Sequence, residues 1–115
     1  MGHDWDNLEG VDATERIFCA GIAASAGEIH LSSDGEGAAI FFITKEGLRF
    51  FTHLPKICSD GVRCYLKTLA AIDCWKQPPV SGFGVFRRHG KDFQVEVKIL
   101  QGTVEQDVTI KISTM

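Results

Sequence analysis

Four cysteines and four histidines are the side chains best suited to nucleophilic or metal chemistry in this chain. Cys19, Cys58, Cys64 and Cys74 contain no C-x-x-C pair. The five-residue gap between Cys58 and Cys64 fits neither a zinc knuckle nor a thioredoxin-like redox pair, so no metal and no cofactor is expected. Cys19 and Cys64 fall in apolar-periodic stretches, where a thiol behaves as a small hydrophobe, and buried inert thiols are the expectation. A catalytic cysteine would need a base such as His30, His53 or His89, and no motif places one beside it. There is no G-x-x-x-x-G-K-[ST] to cradle a triphosphate. Gly82-Phe-Gly84 lacks the third glycine and the following helix of a dinucleotide site. With no H-E-x-x-H, G-x-S-x-G or carboxylate pair either, the chain is not expected to be an enzyme. One cluster remains: Arg87, Arg88, His89 and Lys91 crowd a predicted hairpin. They suit docking to an acidic partner or a phosphate, or else a solvated turn that protects an edge hairpin from aggregation.

These residues sit in a 115-residue chain, enough for one domain, with 44% hydrophobic and 23% charged residues. The net charge of −3 hides an asymmetry. Residues 1–36 hold eight acids against one base, and the remainder seven acids against eleven bases. An acidic chain without a long basic run is a poor nucleic-acid ligand, so no nucleic acid is expected. No apolar run is long enough to span a bilayer, and no signal peptide is visible at the start. No direct membrane insertion and a cytoplasmic location are therefore the expectations.

The elements that must position these groups follow from periodicity. Residues 1–11 read as a polar lead-in, with Trp5 a candidate anchor, and 12–115 as a single domain. Asp12-Ala-Thr-Glu15 reads as a capping box opening a helix whose Ile17, Ala20, Gly21 and Ala24 form a small-residue stripe suited to a sheet. Ala26-Gly27 ends it. Glu28–Leu31 reads as a short strand and 32–37 as a turn. Ala38–Ile43, apolar on both sides, predicts a central, covered strand. Lys45–Gly47 turns into a strand at Leu48–Thr52. Pro55 opens a second helix to about Ile72, weakened at Gly61. After Gln77-Pro-Pro79 come three alternating strands, at 83–88, 93–99 and 108–112. Helix, three strands, helix, three strands is an α+β domain with a six-stranded, mainly antiparallel sheet and two main helices. Phe41, Phe42, Phe50 and Phe51 suit either the core or a ligand cavity.

Ala26-Gly-Glu-Ile-His-Leu31 is similar to the A-S-D-I-H-I segment that opens the PAS-like N-terminal domain of the type II secretion and type IV pilus assembly ATPases (general secretory pathway protein E-like). Phe41–Leu48 stands where that family has R-Y-R-I-D-G-V. Leu54-Pro55 and Leu66-Lys-Thr-Leu-Ala-Ala-Ile-Asp73 resemble its L-P and K-x-x-A-x-L-D helix, and Pro79-Val-Ser-Gly82 its P-Q-D-G turn. Phe93–Lys98 and Val108–Ile112 resemble its last two strands, E-V-D-L-R-V-S and I-V-L-R-I. The resemblance runs over residues 12–113 and implies a PAS-like sheet.

The departures carry as much meaning. In that family the domain lends arginines to the nucleotide phosphates, a task suited to a permanently charged, forked guanidinium. Here the corresponding positions hold Thr44, Phe83 and Glu96, and Ser81 replaces the acid before the turn glycine. The chain also ends before an ATP-binding core would begin. The resemblance thus implies a copy without the nucleotide role: a non-catalytic protein-docking or regulatory module, with a small-molecule-sensing PAS-like domain as the alternative. Its expected partner is a protein, a secretion or pilus ATPase or its membrane platform. His30, at a position where the family shows histidine, joins Arg87, Arg88, His89 and Lys91 as a partner-docking candidate. Its other reading is a half-buried, locally bonded ring.

Overall fold

The computed structural model describes residues 9–73, 75–102 and 106–114. Helix α1 (Gly10–Ala23) is followed by strands β1 (Glu28–Asp34), β2 (Gly37–Thr44) and β3 (Gly47–Pro55). Helix α2 (Lys56–Leu69) then leads to β4 (Val80–Arg88), β5 (Lys91–Gln101) and β6 (Gln106–Thr114). All five strand pairings are antiparallel, in the order β3-β2-β1-β6-β5-β4. The expected α+β architecture and element order are therefore present. Each half is a helix followed by a three-strand meander, and the halves meet where Glu28–Leu31 pairs with Val108–Lys111.

Alternation decides which side chains enter the core. Ile29 and Leu31, Ala38, Ile40 and Phe42, Val95, Val97 and Ile99, and Val108 and Ile110 are buried, together with Ile17, Phe18, Val62 and Leu66 from the helices. Phe18 reaches across the halves, edge-on to Phe86 with ring centroids 5.0 Å apart. Among the described residues no helix lies on the opposite face of the sheet. The expectation that β2 is covered on both sides is thus corrected: Ala39, Phe41 and Ile43 lie on that open face and stay half-buried. Strand β2 is second from the edge rather than central.

Several boundaries also differ. Helix α1 begins at Gly10, with Glu9 as its cap residue and no side-chain capping bond, so Asp12 is a first-turn acid rather than the cap. A carboxylate there still complements the positive end of the helix dipole. The earlier start is possible because α1 crosses α2 at Gly10 and Gly61, where a Cβ on Gly10 would strike the Gly61 carbonyl. Gly61 is thus a crossing point. Both helices end about three residues before the sequence suggested, at Ala23 and Leu69, each through a residue at positive φ, Ser25 and Ala71. Ala26 N–H then bonds back to Gly21 O (2.8 Å) and Ile72 N–H to Lys67 O (2.8 Å), satisfying the last carbonyls. Strand β1 runs on to Asp34, so the turn expected at 32–37 shrinks to the tight link between Asp34 and Gly37. Of the lead-in, residues 1–8, with Trp5, lie outside the described residues, and Gly10 and Val11 are helical.

Candidate functional site

The β4–β5 hairpin owes its shape to a two-residue turn. His89 and Gly90 both have positive φ (51° and 75°), the signature of the type I′ turn that matches strand twist. Pairing of β5 with β6 ends at Phe93–Thr114, while β4 and β5 stay paired through Arg87–Asp92 and Arg88–Lys91. Among the described residues the hairpin tip, Arg87–Asp92, pairs only with itself. It is braced by a forked ion pair in which Arg87 Nε donates to Asp92 Oδ1 (2.6 Å) and Nη2 to Oδ2 (3.1 Å). The guanidinium holds the Asp92 carboxyl below the usual carboxylate range, and Asp92 in turn raises Arg87.

With Arg87 so occupied, the basic character of the tip falls to Arg88, His89 and Lys91, all exposed. Arg88 sits on the helix side of β4 and lines a groove of about 370 Å³ with Asp12, Glu15, Arg16 and Cys19 of α1. The tip thus offers positive charge beside the acids of α1.

His30 is not part of this cluster. It projects from the centre of the open face, half-exposed, with Nε2 3.2 Å from Glu28 Oε1. The register runs His30–Thr109–Lys98 across β1, β6 and β5, and Lys98 pairs with Ser81 of β4. Arg87 lies six residues further along β4, roughly 20 Å at a strand rise of ~3.3 Å per residue. The structure brings the hairpin residues together and leaves His30 apart.

The four phenylalanines divide between the two faces. Phe42 and Phe51 stack in the core with centroids 4.8 Å apart, while Phe41 and Phe50 meet edge-on at 5.7 Å on the open face. They therefore do not line one cavity. Cys58 is buried, Cys19 half-buried and Cys64 exposed, which corrects the reading of Cys64 as a buried thiol. Cys74 lies outside the described residues. Among the described residues no group of three or more His, Cys, Asp or Glu side chains is gathered for a metal ion. None of their helices is long and apolar enough to cross a membrane.

Two polar arrangements escaped the sequence reading. Arg63 is buried in α2 and donates to Ser33 Oγ (2.9 Å) and to Asp60. Ser33 in turn donates its Oγ–H to Gln106 O (2.8 Å) and its N–H to Asp107 Oδ1 (2.8 Å). This chain of bonds ties α2 to β1 and β6. Its signal was present: Ser59, Val62, Arg63 and Leu66 follow the i, i+3, i+4, i+7 spacing of a buried stripe. The second is Asp34, whose Oδ2 lies 2.9 Å from His53 Nε2. That bond, with the Glu36 N–H donated to the same carboxylate, lowers its pKa.

Of Thr44, Phe83 and Glu96, which the resemblance sets against arginines, two face each other. Phe83 and Glu96 are direct cross-strand partners on the open face, and Thr44 ends β2 in the other half. An arriving phosphate would meet an aromatic ring and a carboxylate there. Compared with known proteins, the chain matches no family model and no curated sequence.

Proposed function

We propose that this chain is a non-catalytic protein-docking or regulatory module, related to the PAS-like N-terminal domain of type II secretion and type IV pilus ATPases and acting in the cytoplasm. Its partner is a protein with an acidic surface, on such a motor or its membrane platform. The observation that carries the reading is the β4–β5 hairpin, which presents Arg88, His89 and Lys91 on a tight turn braced by Arg87 and Asp92. A braced tip loses little conformational freedom on binding, and positive charge favours encounter with an acidic surface. Phe83 opposite Glu96 supports the loss of the nucleotide role, since a carboxylate repels phosphate.

The test is calorimetric titration of the purified chain with the purified motor and platform proteins of its own source, and separately with ATP. Binding to one of the proteins, weakened about tenfold or more by the double substitution Arg88→Glu with Lys91→Glu, is the expected result. Absence of binding to either protein, or micromolar binding of ATP, overturns it.

A further inference from the structure

We propose that the open face of the sheet is a self-association surface that takes a second copy of this chain across a twofold axis perpendicular to the strands. The argument begins with two neighbouring rows of side chains on that face. One row holds Leu48, Ile43 and Glu28 on β3, β2 and β1, then Lys111, Glu96 and Phe83 on β6, β5 and β4. The next row, two residues along each strand, holds Phe50, Phe41 and His30, then Thr109, Lys98 and Ser81.

A twofold axis lying between the rows exchanges them. Leu48 then faces the second copy's Phe50, and Ile43 the second copy's Phe41. Their exposed apolar surface, with Leu48 63% and Phe50 62% accessible, is thereby removed from water on both sides. The same operation places Glu28 against the second copy's His30, and Glu96 against the second copy's Lys98. Acid meets base on β1 and β5 and apolar meets apolar on β3 and β2, while Lys111 meets Thr109 and Phe83 meets Ser81. The Glu28–His30 and Glu96–Lys98 contacts within each chain (3.2 and 4.0 Å) each become part of a four-charge cluster with the second copy. A twofold axis through either row would instead set Glu28 on Glu28 or Lys98 on Lys98. Charge therefore selects the axis.

The area is sufficient. Six strands at ~4.8 Å spacing, over about 25 Å of their length, give on the order of 700 Å² per copy, close to the ~800 Å² per partner of a stable interface. Face-to-face stacking of sheets is also an established packing mode, with strands within ~30° of each other. The hairpin tip proposed for docking lies at the sheet's end and stays free, so this inference stands apart from that reading.

Sedimentation of the full chain from about 10 µM to about 1 mM tests the proposal. The expected result is a reversible dimer. Phe50→Arg should abolish it, and Glu96→Lys or Lys98→Glu alone should weaken it about tenfold or more. An equal mixture of the two charge variants should associate again, since each then faces its opposite, as should the double swap in one chain. These positions are exposed or at the surface of the sheet, and thermal melting of each variant verifies that the monomer is still folded. A chain that stays monomeric to about 1 mM overturns the proposal. So does a dimer indifferent to these substitutions, or a mixture that does not regain association.

Discussion

The two halves of the molecule repeat one plan, helix then three-strand meander, but they solve the same packing problem in opposite ways. In the first half the helix supplies the small residue. Gly21 of α1 sits over Ile29 and Phe42, and a Cβ there would lie 2.9 Å from Ile29 Cδ1. In the second half the strand supplies it. Gly82 and Gly84 of β4 face the end of α2, and a Cβ on either would collide with a backbone carbonyl, of Ala70 or Leu69. The first arrangement sets a glycine against flexible side-chain atoms. The second sets two against backbone, which cannot move without moving the helix. The lesson is that closeness between helix and sheet is required in both halves, while the sequence position that provides it is not.

Joining the halves is the costliest feature to break. Phe18, 1% exposed, comes from α1 but contacts Phe86 of β4. Phe18→Ala removes a fully buried ring from the contact between the two units and should cost about 3–5 kcal/mol. Urea unfolding followed by circular dichroism measures it. A loss under about 1 kcal/mol would mean that the halves hold together without this ring.

The glycine contrast predicts a smaller, unequal pair. Gly84→Ala forces a methyl into the Leu69 carbonyl and should destabilise by about 2–3 kcal/mol. Gly21→Ala meets only the tip of Ile29 and gains about 1 kcal/mol of helix propensity, so the net change should be within about 1 kcal/mol of zero. Equal losses in the two variants would remove the distinction between a backbone and a side-chain neighbour.

This contrast also explains what the sequence could and could not reveal. The element order was legible because the strands of the second half alternate cleanly, as in Phe93, Val95, Val97 and Ile99. The α1 stripe around Gly21 was legible as a close-packing face. The α-βββ order of both halves was legible too, but no repeat of residues marks it, since small residues stand on the helix in one half and on the strand in the other. Strand β2 misled because Ala39, Phe41 and Ile43 look like a second core face, whereas they lie on the open side. The hairpin cluster was readable from local spacing alone. His30 was readable as a strand histidine, but its separation from that cluster depends on strand order, which joins β1 to β6 across the 76 residues of chain between Leu31 and Val108. Arg63 was missed because a charged residue in a buried stripe is read as a solvated neighbour unless its partners Ser33 and Asp60 are already in place.

The smallest predicted effect compares one surface pair from each half. Asp34 with His53 closes the first meander, and Asp92 with Arg87 braces the second. Both carboxylates are shifted below their ordinary range by these partners. A carboxylate with a lowered folded-state pKa stabilises the fold fully above its unfolded-state value, and that contribution disappears as the pH falls through the folded-state value. The stability supplied by both pairs is therefore present at neutral pH and lost only in the acid limb. Urea midpoints measured from about pH 6 down to about pH 2.5 should fall less steeply in Asp34→Asn and Asp92→Asn than in the parent chain. Both changes should be small and should fade in high salt, because exposed charges are well screened. Asp92→Asn should flatten the limb more, since in the parent chain a permanently charged guanidinium holds Asp92 through two bonds. Asp34 is held by one bond to His53 and the Glu36 N–H. A larger flattening from Asp34→Asn would place the stronger clasp in the first half and reverse the comparison.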